Sequence, residues 1–130
     1  MPQLSEKSAQ LLSTCDTRLQ QVCMAAIKII DFTIITGYRD KAAQDKALKD
    51  GNSKLAYQLS KHNIFPSLAI DIAPFPIDWN DKERFILLAG IILGIASEQN
   101  IKLRLGGDWD SDFNLKENRF SDLGHFEVLK

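Results

Sequence analysis

The chain contains only two histidines, His62 and His125, and each lies in a short motif with a carboxylate. His62 precedes an apolar run that contains Asp71, and Asp122 stands three residues before His125. Two imidazoles and one carboxylate make a three-ligand zinc site, which leaves the fourth position open for water. An open position is typical of catalytic zinc, since a structural zinc usually closes its shell with cysteines. The spacing of His62, Asp71 and His125 is therefore suggestive of a metal site, and such a site would be catalytic and not structural.

Each of these residues also has a simpler interpretation. Asp71 interrupts the segment "LAIDIA", where a buried carboxylate is costly unless it is paired or bound to a cation. It would avoid that cost by facing solvent from an edge strand or by pairing with a lysine. His62, taken alone, is more typical of a hydrogen-bonded loop residue than of a metal ligand. The residues by themselves leave these alternatives open.

The elements that would position these residues begin with a helical pattern. Apolar residues recur every three or four positions from Ser5 to Ile30, as in one amphipathic helix. The β-branched residues 33–36 then predict a short strand that stops at Gly37. Asp40 is a candidate N-cap for a further helix, and Gly51 is its candidate C-terminal stop.

The second half of the chain predicts three more strands and one helix. "SLAIDIAP" is typical of a short strand, and "IKLRL" and "GHFEVL" predict two others. Between them, Asn80 and Glu83 have capping-box spacing before an apolar helical run. We therefore predict an α+β fold, a small antiparallel sheet flanked by about three helices, formed by a single domain over residues 1–130.

Composition limits the function classes. The chain has 130 residues, of which 45% are hydrophobic and 25% charged, and its formal net charge is −1. These values are typical of a globular domain, and the absence of a basic cluster argues against nucleic-acid binding. Its longest apolar stretch, residues 85–96, is too short to span a bilayer, so no membrane insertion is expected. Cys15 and Cys23 lie in the same predicted helix, too far apart for a disulfide, and are predicted to be core thiols.

The N-terminal segment "MPQLSEKSAQ" has no charged region followed by an apolar core. We therefore expect synthesis in the cytoplasm without a signal peptide, so that any work outside needs another export route. We also expect the chain to act as a monomer.

Several of these motifs together resemble a family. "SKHN…SLAIDIAP" with "GHFE" is similar to the Ser-x-His…Asp and His-x-Glu signatures of the LAS zinc peptidases. That group includes D-alanyl-D-alanine carboxypeptidases and dipeptidases and the L-alanyl-D-glutamate endopeptidases of phage endolysins, and it implies a hedgehog or DD-peptidase type of fold. "GYRD" with Gln44 resembles the group's Gly-Tyr-Arg…Gln stretch, and "LGGDWDSD" is closest to the endolysin-like branch. The matches extend from Gly37 to Glu127.

The resemblance implies roles for individual residues. It makes His62, Asp71 and His125 the zinc ligands and Asp122 the catalytic acid/base. Such a carboxylate can take a proton from water and pass it to the leaving amine. It also places Arg39 near the scissile carbonyl, where its charge would stabilise the developing oxyanion. The alternative for Arg39 is a surface arginine paired with Asp40 or Asp45.

Three further residues are candidates for substrate binding: Ser60, Gln44 and Trp109. Ser60 either hydrogen-bonds near the metal or caps a turn, and Trp109 is a candidate for the wall of a substrate groove. Gln44 follows from the resemblance alone. Glu127, two residues after His125, is a candidate to support the site from behind a ligand.

The acidic residues at positions 108, 110 and 112 mimic the first ligands of a calcium loop. Phe113 and Arg119 stand where that loop needs glycine and glutamate, so a solvated loop is favoured. The chain also departs from the LAS pattern twice: its spacing from His62 to Asp71 is longer than usual, and Gly124 replaces the common proline before His125.

These observations predict a zinc-dependent endopeptidase that cleaves the L-alanyl-D-glutamate bond of bacterial peptidoglycan, as endolysins do. Two alternatives remain open from the sequence. One is a D-alanyl-D-alanine carboxypeptidase or dipeptidase with the same metal centre. The other is a non-catalytic wall-binding or virion structural module, although the carboxylate of Asp122 beside the ligands argues against it.

Overall fold

The computed structural model describes residues 2–106 and 122–129. Its elements follow the order α1 (Glu6–Leu12), α2 (Thr17–Ala26), β1 (Phe32–Thr36), α3 (Lys41–Lys49), a short 3-10 helix (Lys61–Asn63), β2 (Ala69–Pro74), α4 (Lys82–Glu98), β3 (Leu103–Gly106) and β4 (Asp122–Val128). The strands pair antiparallel in the spatial order β1-β2-β4-β3. The predicted α+β class with a small antiparallel sheet is confirmed.

The two faces of the sheet have different environments. Ile70 and Ile72 of β2 and Phe126 of β4 are buried in a hydrophobic core that includes residues of α2 and α4. Because side chains alternate along a strand, Asp71 and His125 lie on the opposite face, directly across from each other. Burying each large apolar side chain contributes roughly 1.5–3 kcal/mol, and a slip of one residue would exchange the two faces. Core burial therefore fixes the register that pairs Asp71 with His125.

The predicted helix from residue 5 to residue 30 is wrong in one respect, because the structure divides it into α1 and α2. The turn between them bonds to two later segments of the chain. Thr14 Oγ1 accepts a hydrogen bond from the Tyr38 backbone N–H at 3.0 Å. The backbones of Thr14 and Asp16 each bond to Ser67 at 2.9 Å. The helix is interrupted here because the turn makes hydrogen bonds to Tyr38 and Ser67, two residues in the segments that lead into the site.

The N-cap predicted for α3 is confirmed, whereas the N-cap predicted for α4 is not. Asp40 is the N-cap of α3, as predicted, and Gly51 follows its end with a positive φ of 78°. For α4 the predicted capping residue is wrong by one position. The N-cap is Asp81, whose side chain accepts from the Arg84 N–H at 3.3 Å, and not Asn80. With the first helix divided, the described residues contain four α-helices where about three were predicted.

Close backbone approach at β4 requires two glycines. A Cβ at Gly124 would overlap the carbonyl oxygen of Ile72 in β2. A Cβ at Gly106 would overlap the carbonyl oxygen of Asp122. These contacts give a local reason for the glycine that stands before His125, because no larger side chain has room against β2.

Cys15 and Cys23 are buried free thiols, as predicted, although Cys15 lies in the turn and not in a helix. Burial raises the thiol pKa to about 11 for Cys15 and to about 12 for Cys23. Neither thiol is therefore ionised near neutral pH. Among the described helices, none combines the length and the apolar character that a membrane span requires.

Candidate metal centre

Three side chains predicted as ligands meet on the polar face of the sheet. His62 comes from the 3-10 helix, Asp71 from β2 and His125 from β4, and each offers a donor atom within 4.8 Å of the others. Asp71 Oδ2 lies 3.2 Å from His62 Nε2, and Asp71 Oδ1 lies 2.9 Å from His125 Nδ1. Ligands at 2.0–2.2 Å around a tetrahedral zinc are separated by about 3.3 Å. The two measured distances are close to that separation, and each imidazole faces a different oxygen of Asp71.

His62 presents a nitrogen lone pair to this cluster. Its Nδ1 lies 2.7 Å from the carbonyl oxygen of Gly37, which can only accept, so the ring hydrogen belongs on Nδ1. Nε2 is buried and makes no hydrogen bond to any described residue, although it stands beside Asp71. Two facing acceptors call for a cation between them, and a metal ion fits this place.

His125 lies between two carboxylates. Its Nδ1 is 2.9 Å from Asp71 Oδ1 and its Nε2 is 2.9 Å from Glu127 Oε1. A neutral imidazole has one N–H for these two acceptors, so the second nitrogen needs a proton or a metal ion. Burial opposes the charge, but the hydrogen bonds with Asp71 and Glu127 raise the pKa of His125 to about 9. The donor set therefore has the charge and geometry for a divalent metal ion.

The carboxylate of the candidate ligand Asp71 is held ionised by its surroundings. Burial opposes ionisation of Asp71, but its contacts with His125 and His62 hold its pKa well below the usual range. Arg39 Nη2 lies 3.3 Å from Asp71 Oδ2. Asp71 thus neither faces solvent from an edge strand nor pairs with a lysine, since β2 is an inner strand of the sheet.

Arg39 belongs to the site and is not an isolated surface residue. Asp40 caps α3 and Asp45 pairs with Lys41 at 2.7 Å, so neither of the two acidic neighbours takes the guanidinium. Arg39 instead lines the pocket and bonds to Asp71.

Gln44 differs from the predicted substrate contact. Its side chain is fully buried and is not among the pocket-lining residues. Its Oε1 accepts from Arg39 Nη1 at 2.9 Å and from Asn63 Nδ2 at 3.1 Å. Gln44 therefore holds Arg39 in place and does not face the pocket.

Ser60 has both of the properties that the sequence offered as alternatives. Its Oγ accepts from the His62 N–H at 3.2 Å and caps the 3-10 helix that carries His62. The same residue lines the pocket.

Asp122 lines the same pocket as the three ligands, although it is an odd number of residues from His125. The register between β3 and β4 shifts after Leu105, so that Gly106 pairs with Asp122. A bulge of this kind can turn a side chain to the other face of a strand. Burial and the negative charge of Asp71 raise the pKa of Asp122 above its usual value.

The pocket is open and has a volume of about 320 Å³. Besides the residues above, the segment 52–55 and Arg104 line it. Near the pocket, Lys61 donates to the Val128 carbonyl at 3.0 Å. Arg104 is a pocket residue that was not predicted from the sequence, although the alternation in "LRL" indicates one polar position on that strand.

Four of the predicted residues belong to the part of the chain that the structure does not describe. Trp109 and the acidic residues Asp108, Asp110 and Asp112 lie outside the described residues. The groove wall expected for Trp109 and the solvated loop expected for the three aspartates stay predictions.

Comparison with known proteins identifies the family of the chain. A model of the family "phage L-alanyl-D-glutamate peptidase" matches residues 1–129. The chain is 34% identical to an L-alanyl-D-glutamate peptidase of Escherichia phage T5, over 95% of this chain and 96% of that protein.

Its fold is similar to the crystal structure of the Serratia marcescens L-Ala D-Glu endopeptidase ChiX. The TM-score is 0.76 at 21% sequence identity, and the match covers 98% of this chain and 90% of that one. At this identity the likeness concerns the fold alone. The family match and the phage relative decide the assignment: the chain belongs to the phage L-alanyl-D-glutamate peptidase family.

Proposed function

We propose that this chain is a zinc-dependent endopeptidase that hydrolyses the L-alanyl-D-glutamate bond of bacterial peptidoglycan. The observation that carries the proposal is the cluster of His62, Asp71 and His125 in an open pocket that also contains Asp122. Family membership and the T5 relative support the choice of bond. The catalytic unit is one chain, residues 1–130, acting as a monomer on the cell wall, because one chain supplies every residue of the cluster.

His62 Nε2, one oxygen of Asp71 and His125 Nδ1 would hold the zinc ion. When bound, zinc supplies a Lewis acid that activates water near neutral pH and polarises a carbonyl. Both histidine side chains are buried. In each ring, the nitrogen that would not bind the metal is hydrogen-bonded to the protein. Their orientation is thus set before metal or substrate arrives.

Asp122 is the proposed general base and acid. Its raised pKa suits a group that takes a proton from water and returns it to the leaving amine of D-glutamate. Arg39 contributes positive charge beside Asp71, where charge develops on the substrate oxygen. Gln44 and Asp71 hold its guanidinium at two nitrogens, so it needs no reorganisation during the reaction.

The bond cleaved is tested by mass spectrometry of purified peptidoglycan digested with the enzyme. The expected products carry new amino termini on D-glutamate and leave L-alanine on the muramyl side. Release of free D-alanine without new glutamate amines would contradict the proposed bond and point to a carboxypeptidase.

The metal is tested separately by zinc analysis of the purified protein. We expect one zinc per chain, and a large loss of it in His62→Ala and in His125→Ala. Near-stoichiometric zinc in both variants would contradict the ligand assignment.

A further inference from the structure

The two oxygens of the Glu127 carboxylate have different partners. Oε1 lies 2.9 Å from His125 Nε2. Oε2 lies 2.6 Å from Arg104 Nη2 and 3.6 Å from Lys61 Nζ. Glu127 is itself buried, with 8% of its surface exposed. One oxygen therefore faces a metal-ligand candidate, and the other faces two cations.

These partners restrict the hydrogen positions on His125. Arginine only donates hydrogen bonds, so Arg104 directs one to Oε2, and the Lys61 ammonium adds positive charge on the same side. Oε1 is left to accept from His125, which places the ring hydrogen on Nε2. The lone pair of Nδ1 then points toward Asp71 Oδ1 at 2.9 Å, where the metal is proposed to bind. A ring with its hydrogen on Nδ1 would present an N–H to the metal and could not ligate it.

We propose that Glu127 is a positioning residue that selects the metal-binding tautomer of His125, and that Arg104 orients Glu127 for this task. This rests on the proposed function, in which His125 is a zinc ligand. Carboxylates behind a metal-bound histidine fix the orientation of the ring and raise its basicity. The other histidine, His62, has the neutral carbonyl of Gly37 in the equivalent place. The ring orientations of the two candidate ligands are therefore fixed by different hydrogen-bond acceptors. Because its acceptor is a carboxylate, His125 is the more basic ligand toward the metal.

The substitution Glu127→Gln separates this role from simple packing, because it keeps size and shape. An amide has one acceptor oxygen and one donor nitrogen. The close Arg104 donor will hold the amide oxygen, which turns the NH₂ group toward His125 Nε2. That nitrogen must then accept, so the ring hydrogen moves to Nδ1. We expect zinc affinity to fall 10- to 100-fold, the usual cost of losing such a partner.

The double variant Glu127→Gln/Arg104→Met is the rescue experiment. Without the guanidinium, the amide oxygen is free to turn back and accept from His125 Nε2. Lys61 stays at 3.6 Å, too far for a hydrogen bond. We expect the double variant to bind zinc several-fold more tightly than Glu127→Gln alone. The single variant Arg104→Met shows how much the loss of the guanidinium alone changes the zinc affinity.

Zinc dissociation constants are measured by competition with a chromophoric chelator, and urea unfolding of each metal-free variant reports its stability. Asp45→Asn is the control, since Asp45 also pairs with a cation but on the exposed surface of α3. It should bind zinc like the wild type. Nitrogen-15 NMR of the zinc-loaded wild type should find the His125 ring hydrogen on Nε2, and this measurement needs no variant to fold.

Three results would overturn the inference: wild-type zinc affinity in Glu127→Gln, no recovery in the double variant, or a ring hydrogen on Nδ1 of the loaded wild type. A purely structural Glu127 would lower the stability of the metal-free protein and leave zinc affinity unchanged. A wild-type chain that binds no zinc would overturn the proposed function itself, and this inference with it.

Discussion

Replacing Gln44 by methionine removes the hydrogen bonds that connect α3 to the site and leaves a side chain of similar length. Its Oε1 accepts from Arg39 and Asn63, and its Nε2 donates to Ser53 Oγ at 2.9 Å and to the Leu55 carbonyl at 2.7 Å. Every hydrogen-bonding position of this fully buried amide is occupied. The substitution therefore leaves four partners to find replacements at once.

The magnitude follows from these four bonds. A bond between neutral groups contributes about 1 kcal/mol net, and one to a charged group contributes about 1.5–3 kcal/mol. Three neutral bonds and the one from Arg39 add up to roughly 4–6 kcal/mol. Arg39 keeps its bond to Asp71, and water can reach the exposed segment around Leu55. We therefore expect a loss of about 3–5 kcal/mol, a large share of the 5–15 kcal/mol that stabilises a typical domain.

Urea unfolding measures this loss, and Gln20→Met provides the matched control. Gln20 is partly buried, and among the described residues its side chain makes one hydrogen bond, from its Nε2 to the Cys15 carbonyl at 2.8 Å. The same chemical change there should cost about 1 kcal/mol. With a urea m-value of about 1.5–2 kcal/mol/M, the two midpoints should differ by about 1–3 M. Equal midpoints for the two variants would refute the assignment of Gln44 as the support of Arg39.

Three further outcomes are expected. Asp122→Asn should keep its zinc and its fold but lose wall-lytic activity by about 10²–10⁴ in rate, the cost of a missing general base; zinc analysis and a turbidity assay check this, and parental activity would exclude Asp122 as the base. Arg39→Ala should also keep zinc and lose about 10²–10³ in rate, whereas an unchanged rate would assign Arg39 to the support of Asp71 alone. Gly124→Ala should lower the free energy of unfolding by about 1–3 kcal/mol or more, because its Cβ overlaps a backbone oxygen of β2; the control Gly94→Ala, whose Cβ meets nothing within 4 Å in α4, should be neutral or stabilising in the same urea titration.

The candidate ligands could be named from the sequence, because the choice depends on residue chemistry. Only two histidines are present, and a carboxylate in an apolar strand needs a compensating partner. The strands could also be located, since short runs of β-branched and apolar residues that end at glycine or proline are typical of strands. The order of motifs along the chain indicated the family before any distance was known.

Other features depend on contacts between segments far apart in the chain. The break between α1 and α2 is stabilised by bonds to Tyr38 and Ser67, so the local apolar spacing could not reveal it. Gln44 occurs in a polar helical stretch, and only the packing of segment 53–55 against α3 buries it. A pattern of apolar spacing describes one element at a time and has no information about what covers its polar face.

The position of Asp122 in the candidate site could likewise not be predicted from the local sequence pattern. Regular alternation would place a residue three positions before His125 on the opposite face of β4. The register shift against β3 at Gly106 brings Asp122 into the pocket instead. Likewise, the strand pairing of Arg104 with Glu127 decides which oxygen of that carboxylate faces His125. Residue types thus determined what chemistry is available to this protein, while strand register and close backbone packing decided which groups meet to perform it.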